Sequence, residues 1–239
     1  MRPVLLFVGA MPLYGYGSAI AFGGVIAARL LWLRREKMGL RDADSFWELI
    51  NLVVLSGFLG GKILFLIQYG WSGLSITHGY SVFGGFIAVP LSIALFARWK
   101  RISALKLADY LFLSAIFWHA FGRLGCFLAG CCYGRPTGLL WGVVFRDIRS
   151  LVPQEFLGVR IHPVQLYEAG GDLLIASVLW RVLVATEQGK YKPGLVAAGQ
   201  FAAYGALRFS LEFLRGDTLP LIGSVTQGQA LGLGLLAAS

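Results

Sequence analysis

Residues 119–136, HAFGRLGCFLAGCCYGRP, concentrate reactive residue types in a chain that is otherwise strongly apolar. The segment holds Arg123, Arg135 and all three cysteines of the protein, with four glycines among them. A guanidinium group matches the geometry of phosphate and carboxylate groups, and a thiolate is both a nucleophile and a metal ligand. What these residues can do depends on the elements that position them.

A second group of ionisable residues lies in the apolar run YGALRFSLEFLRGD. Arg208 and Glu212 are four residues apart, so they share one face of a predicted helix and could pair, and Arg215 and Asp217 follow. Charges inside an apolar helix are costly unless they are paired. The pair either fixes helix packing, or it presents Arg208 to an anionic ligand with Glu212 positioning the guanidinium; we favour the second interpretation.

Two acids and one lysine also lie within predicted apolar helices. Glu168 and Asp172 are also four apart, and we expect them to anchor arginines of the neighbouring segment, with proton abstraction as the alternative role. Lys62, in GFLGGKILF, either extends to the lipid headgroups as an anchor or helps to hold a lipid phosphate.

Composition identifies the environment of these residues as a membrane. Hydrophobic residues make up 57% of the 239 residues and charged residues only 14%, whereas soluble domains carry about a quarter charged residues. The net charge of +9 is then explained by basic loops and lipid headgroups, and we expect no nucleic-acid partner. Residues 4–10 resemble the apolar part of a signal peptide, but no convincing cleavage site follows, so we predict an uncleaved first helix.

The apolar runs predict an all-α integral membrane protein with seven transmembrane helices and a single domain over residues 1–239. A bilayer takes about 20 apolar residues per helix. The predicted spans lie near residues 11–33, 48–68, 79–97, 104–122, 166–186, 194–214 and 219–237. The remaining long connection, about 123–165, predicts a small ordered elaboration between spans four and five.

The distribution of basic residues predicts the orientation. The connections 29–44, 98–106 and 181–193 are rich in lysine and arginine, which places them in the cytoplasm, while the uncharged loop 69–78 faces out. The N-terminus is then periplasmic and the C-terminus cytoplasmic. Eight cations lie at or near the outer face and all are arginine, which points to an anionic ligand there: Arg2, Arg123, Arg135, Arg146, Arg149, Arg160, Arg208 and Arg215.

The motifs in this order resemble the bacterial prolipoprotein diacylglyceryl transferase family. GRLGCFLAGCCYG is similar to the family signature, HPVQLYE matches a family motif almost letter for letter, and YGALRFSLEFLRGD matches its arginine element. YGYG, GGKILF and QGQ resemble further family segments, so the resemblance covers nearly the whole chain. It implies a multi-pass enzyme of the bacterial inner membrane, with its active site toward the periplasm and without a cofactor.

The resemblance also implies the reaction and its partners. The diacylglyceryl group of phosphatidylglycerol is transferred to the thiol of the lipobox cysteine in a prolipoprotein signal peptide, which forms a thioether and releases glycerol phosphate. Arg123, Arg208 and Glu212 take the catalytic roles, with the two arginines holding the phosphate. The resemblance implies the following substrate-binding residues: Tyr16, Lys62, Gly84, Gly85, Cys126, Gly134, His162, Gln165, Tyr167, Glu168, Tyr204 and Arg215.

The chain departs from the family pattern at four positions. Phe83 occupies the place of a histidine proposed as the base toward the thiol, and phenylalanine cannot take a proton. Lys62 stands for an arginine, Cys126 for an asparagine and Cys131 for a glutamate. The group that takes the thiol proton is therefore left open.

The cysteines allow several interpretations. A structural zinc site uses four ligands and only His119 and His162 could add nitrogen, so we expect no metal site. A Cys126–Cys131 or Cys126–Cys132 disulfide, packing by small side chains, and a covalent relay through a thiol remain as alternatives. Of the histidines, His119 is expected to hydrogen-bond across helices, His162 to orient its motif, and His78 to lie at the membrane interface.

Two rival functions remain open at this level. An enzyme on the same scaffold could use another acceptor or another phospholipid donor, as Phe83 would suggest. A protein that binds or transports anionic lipid without chemistry is the other rival, although the paired broken helices typical of transporters are not evident.

Overall fold

The computed structural model describes residues 3–9, 11–70, 79–218 and 220–239. Arg2 and most of the uncharged loop 69–78, including His78, lie outside these ranges. The chain divides into two compact units, Met1–Leu30 with Phe112–Ser239 and Leu31–Leu111. The sequence-based prediction of a single domain stays a prediction.

Eight α-helices make up most of the part of the chain that the structure describes. They are α1 (Gly15–Leu33), α2 (Arg35–Met38), α3 (Ala43–Tyr69), α4 (Val82–Lys100), α5 (Ala104–Ala129), α6 (Val164–Glu187), α7 (Leu195–Glu212) and α8 (Gln227–Ala237). Three two-stranded antiparallel sheets accompany them: β1 (Val4–Val8) with β2 (Met11–Tyr14), β3 (Val143–Val144) with β4 (Arg160–Ile161), and β5 (Pro220–Ile222) with β6 (Val225–Thr226).

Five helices are long and apolar enough to cross a bilayer: α1, α3, residues 83–100 of α4, α5 and α6. This confirms a mainly helical protein of the integral membrane class. The helix α8 has 11 residues, which corresponds to a length of about 16 Å against an apolar bilayer core of about 30 Å. The expectation of one continuous helix over 219–237 is therefore wrong.

Local signals explain that difference. Residues 220–226 form the β5–β6 hairpin, which turns at Gly223 with a φ of +58°. Thr226 then starts α8 through a capping box: its side chain accepts from the backbone of Gln229, and the Gln229 side chain accepts from the backbone of Thr226. This T-x-x-Q pattern is a helix start signal that a count of apolar residues overlooks.

The first predicted span also begins later than expected. The strands Val4–Val8 and Met11–Tyr14 pair as the β1–β2 hairpin, Gly9 after the first strand has a φ of +62°, and α1 begins only at Gly15. Continuous apolar character does not distinguish a short hairpin from a helix, so the expected start at residue 11 is wrong.

The connection between α5 and α6 is ordered, as expected, but begins at residue 130 because α5 continues to Ala129. Phe145, Val152 and Ile161 form its own small buried core. The strands β3 and β4 hold Val143 opposite Ile161. This core fixes the segment that follows the cysteines.

In the unit formed by Leu31–Leu111, α3 and α4 pack closely through glycines. A Cβ added at Gly84 would collide with the carbonyl of Gly60, so both positions require glycine. Asp42 caps α3 by accepting a hydrogen bond from the backbone nitrogen of Ser45 over 2.6 Å, and this bond lowers the pKa of Asp42.

Candidate active site

The arginine of the opening segment pairs with an acid on another helix. Arg123, near the end of α5, contacts Glu168 at the start of α6, with 3.0 Å between Nη2 and Oε1. The same Glu168 oxygen accepts a hydrogen bond from the Tyr204 hydroxyl of α7, also over 3.0 Å. One carboxylate therefore joins three helices and holds the Arg123 guanidinium, which confirms that Glu168 anchors an arginine.

The second acid of α6 has a different partner from the one expected. Asp172 is fully buried and lies 2.7 Å from Nδ1 of His119 on α5. The prediction that His119 hydrogen-bonds across helices is confirmed. The expectation that Asp172 anchors an arginine is wrong, because one helical turn separates it from Glu168 and brings it level with His119 instead.

Arg208 and Glu212 form the pair predicted from their spacing, with 2.5 Å between Nη1 and Oε2. The Thr226 hydroxyl donates to the other Glu212 oxygen over 2.6 Å. Gly228 faces the pair so closely that a Cβ there would collide with the Arg208 guanidinium and the Glu212 carboxylate. The start of α8 therefore fixes both side chains.

Arg215 extends this network beyond the end of α7. Its Nε lies 3.7 Å from Glu212, and its Nη2 donates to Asp217 over 2.9 Å. Arg135 donates from Nε to the Arg215 carbonyl over 2.9 Å, and Gly134 forms a β-bridge with Arg215. These contacts connect the turn after α5 to the end of α7.

The three cysteines come together at the end of α5. Cys126 is buried in the last turns of the helix, while Cys131 and Cys132 lie in the turn that follows, where Gly130 has a φ of +85°. Their sulfur atoms all lie within 4.8 Å of one another, and none is in a disulfide. Hydrogen bonds with the neighbouring thiols and the positive charges of Arg123 and Arg215 lower the pKa of Cys132.

Buried polar atoms without a protein partner surround this network. Such atoms are rare in folded proteins, so each is available to a ligand or to water. In the described part of the chain they include Nε of Arg123, Nδ1 of His162, Oε1 of Gln165, Oε2 of Glu168, Oδ1 of Asp172 and Oδ1 of Asp217.

Other predicted site residues have structural contacts in the same unit. Gln165 donates from Nε2 to the Cys131 carbonyl over 2.7 Å, and the Tyr167 hydroxyl accepts from Trp141 over 2.8 Å. Gly134 approaches His162 so closely that a Cβ there would collide with the His162 carbonyl. Tyr16 packs against Gly125, whose added Cβ would lie 3.1 Å from the Tyr16 carbonyl oxygen.

Lys62, Gly84 and Gly85 belong to the unit Leu31–Leu111. Lys62 donates to the Gly79 carbonyl over 3.3 Å, and its ammonium lies 5.1 Å from the centre of the Tyr80 ring. Their roles in substrate binding stay predictions.

Three residues in these contacts were not predicted as site residues from the sequence: Thr226, Gly228 and Trp141. The capping-box pattern at Thr226 and the QGQ segment were the signals available for the first two. Trp141 gave no signal, because its contact with Tyr167 spans two separate elements.

Comparison with known proteins identifies the family of this chain. The family model for prolipoprotein diacylglyceryl transferase matches residues 3–239. The chain is 32% identical to the phosphatidylglycerol–prolipoprotein diacylglyceryl transferase of Clostridium tetani (strain Massachusetts / E88), over 98% of this chain and 93% of that protein. It is also 32% identical to transferase 2 of Clostridium perfringens (strain 13 / Type A), over 99% of this chain and 92% of that protein.

A third relative comes from another genus. The enzyme of Bordetella avium (strain 197N) with the same name is 32% identical, over 97% of this chain and 89% of that protein. Because the family model covers nearly the whole chain and these relatives are 32% identical over most of their length, the chain belongs to the prolipoprotein diacylglyceryl transferase family.

Proposed function

We propose that this protein transfers the diacylglyceryl group of phosphatidylglycerol to the thiol of a prolipoprotein cysteine. The acceptor sulfur forms a bond to the glycerol carbon that carries the phosphate. The carbon–oxygen bond to the phosphate breaks, glycerol phosphate leaves, and the thiol proton is lost. Three relatives named for this reaction, each 32% identical to this chain, support the proposal.

The observation that carries the proposal is the set of paired arginines. Arg123, Arg208 and Arg215 each contact a carboxylate, and these contacts hold the guanidinium groups in place before any ligand arrives. A guanidinium group has five N–H donors, more than one carboxylate can accept, and Nε of Arg123 is buried without a protein partner. The remaining donors suit the phosphate of the lipid donor.

Preorganised donors stabilise a leaving phosphate strongly because they need not reorient during the reaction. Arg123 and Arg208 are proposed to bind the phosphate oxygens, with Glu168 and Glu212 holding the two guanidinium groups. Tyr204 braces Glu168, and Thr226 braces Glu212. One buried side-chain atom has no protein partner in each of His162, Gln165 and Asp217. These atoms can bind the headgroup or the acceptor.

The proposal also includes the number of membrane spans, the location of the protein and the side on which the active site lies. We propose seven membrane spans, the last formed by the β5–β6 hairpin together with α8, because α8 alone is too short to cross the bilayer. An inner-membrane location and an active site toward the periplasm are supported by the arginine-only composition of one side and the lysines of the other. The acceptor is then a lipobox cysteine in a signal peptide, presented from the outer leaflet.

The purified protein tests the reaction directly. We expect it to convert a lipobox peptide in phosphatidylglycerol vesicles to the diacylglyceryl thioether, seen by mass spectrometry, with an equal amount of glycerol phosphate released. A peptide with serine in place of the cysteine is the matched control. Complementation of cells depleted of their own transferase, with a reporter lipoprotein, tests the same activity in vivo.

Phe83 favours one alternative, an enzyme of the same scaffold with a different acceptor. If phosphatidylglycerol is consumed and glycerol phosphate appears only with another thiol or alcohol acceptor, that alternative replaces the proposal.

A further inference from the structure

The three cysteine side chains form a compact sulfur cluster at the end of α5. Their sulfur atoms lie within 4.8 Å of one another. Three thiolates on one tetrahedral zinc ion, each at 2.3 Å from the metal, lie about 3.8 Å apart. The cluster therefore needs adjustments of about an ångström to bind one metal ion, which side-chain rotation provides.

The backbone conformation of Cys132 indicates that a cysteine side chain is needed at this position. Cys132 has a φ of +56°, and Arg101 is the one other non-glycine residue with a positive φ in the described ranges. Such a conformation is uncommon for a residue with a Cβ, and it costs on the order of 1 kcal/mol or more. Glycine would avoid this cost, as it does at Gly130 in the same turn. Cysteine at position 132 instead brings a third sulfur to the cluster.

The turn is also held from outside the cluster. Gln165 donates from Nε2 to the Cys131 carbonyl over 2.7 Å, and the Gln165 side chain is itself buried. Such second contacts orient the ligands of metal sites.

The neighbouring charges fit an anionic metal–thiolate centre. Arg123 and Arg215 both interact electrostatically with Cys132. One divalent cation with three thiolates has a net charge of −1, and a fourth thiolate raises this to −2. Arg123 and Arg215 also contact carboxylates, so they offset part of that charge.

We propose that Cys126, Cys131 and Cys132 bind one thiophilic divalent cation of the zinc class, with a fourth position for the acceptor thiol. Thiolate ligands select soft metals such as zinc, and three protein ligands with one open position are the pattern of catalytic zinc. The expectation of no metal site assumed four protein ligands, which a catalytic site does not require. This inference rests on the proposed transferase function only for the identity of the fourth ligand.

The proposed site accounts for the thiolate without a histidine at position 83. A thiol that coordinates zinc is deprotonated, and its proton is released to water. The sulfur electron pair then forms the carbon–sulfur bond, and the electrons of the broken carbon–oxygen bond leave with glycerol phosphate. The thioether product is neutral, so it binds the metal more weakly than a thiolate and dissociates.

Metal content of the full-length protein in detergent tests the site without turnover. We expect about one zinc per chain by elemental mass spectrometry, as in three-ligand zinc sites. Each single variant, Cys126→Ser, Cys131→Ser and Cys132→Ser, is expected to lose at least about 90% of the zinc. His162→Gln is the matched control and retains it. Copper is measured in the same samples.

A second measurement uses the unmodified protein, so it does not depend on the folding of a variant. Zinc added to the metal-free protein is expected to protect all three thiols from alkylation. Cobalt substitution gives a sulfur-to-cobalt absorption band that strengthens with a lipobox peptide but not with its serine analogue. Failure of zinc to bind or to protect the thiols, copper in place of zinc, or a disulfide between two of the cysteines overturns the metal site.

The two proposals fail in distinguishable ways. Bound zinc without any thioether product would contradict the transferase function and leave the metal site standing. Full turnover by metal-free protein, or an unchanged cobalt spectrum with the peptide, would overturn the role of the metal in activating the acceptor thiol.

Discussion

Arg123 and Glu168 form an ion pair between α5 and α6, with 3.0 Å between Nη2 and Oε1. The exposed fraction of the Glu168 side chain is only 1%, so the carboxylate depends on Arg123 and Tyr204 for its stabilisation. The pair holds a guanidinium group beside the cysteines, in a segment that the family resemblance associates with catalysis. It therefore links the packing of the helices to the proposed chemistry.

Replacing Glu168 with glutamine is expected to destabilise the protein and reduce its activity. The Arg123 charge would lose its partner, and breaking a buried pair costs about 3–5 kcal/mol. Tyr204→Phe removes only one hydrogen bond to the same carboxylate, with an expected cost of about 1 kcal/mol. Thermal unfolding in detergent compares the two variants. Equal stabilities would show that Arg123 does not depend on the Glu168 charge.

Arg208→Lys is expected to reduce kcat/KM at least about tenfold, or about 1.4 kcal/mol. Lysine keeps the positive charge, but it cannot form the bidentate contacts of a guanidinium group with a phosphate. The matched control is Arg149→Lys, which changes an exposed arginine that also pairs with an acid, Asp147. We expect that control to change kcat/KM less than about twofold. Full activity of Arg208→Lys would assign Arg208 to helix packing with Glu212.

Helical spacing predicted contacts within one helix better than contacts between helices. The Arg208–Glu212 pair follows from a separation of four residues, which places both side chains on one face. Glu168 and Asp172 have the same spacing but pair with different residues of α5, and nothing in that spacing identifies Arg123 or His119 as the partner. Such pairs depend on the packing of α5 against α6.

Apolar composition predicted the membrane class but not where each element ends. The strand β2 is as apolar as a helix start, so the predicted first span includes it. The predicted fourth span ends near residue 122, yet α5 continues to Ala129. Gly125 is there because Tyr16 packs against it, and that contact cannot be read from the local sequence.

Gly228→Ala is expected to reduce activity at least about tenfold, equivalent to about 1.4 kcal/mol, with a small effect on folding. The new methyl group would displace the Arg208 guanidinium and the Glu212 carboxylate, both of which are the ends of long side chains. Gly234→Ala on the same helix meets no atom within 4 Å and is the matched control. Because alanine favours helices, we expect Gly234→Ala to retain activity and to gain up to about 1 kcal/mol of stability. Equal activity of both variants would show that the Arg208–Glu212 geometry is not needed for catalysis.

The last prediction concerns the direction in which α6 crosses the membrane. The helix has 24 residues and a length of about 36 Å, enough to span an apolar core of about 30 Å. Leu140 lies in the connection before it with an exposed fraction of 89%, and Gln188 follows its last turn. If α6 spans the bilayer, these two positions face opposite sides.

Single cysteines at Leu140 and Gln188, introduced into a variant without the native cysteines, report on this arrangement. An impermeant maleimide added to intact cells is expected to label Leu140→Cys, while Gln188→Cys reacts only after the inner membrane is permeabilised. Ile148→Cys, in the same connection as Leu140, is the positive control because its exposed fraction is 87%. Labelling of Gln188→Cys from outside would place the lysine-bearing connection 181–193 in the periplasm. The arginine network would then face the cytoplasmic leaflet, and a donor drawn from the outer leaflet would be ruled out.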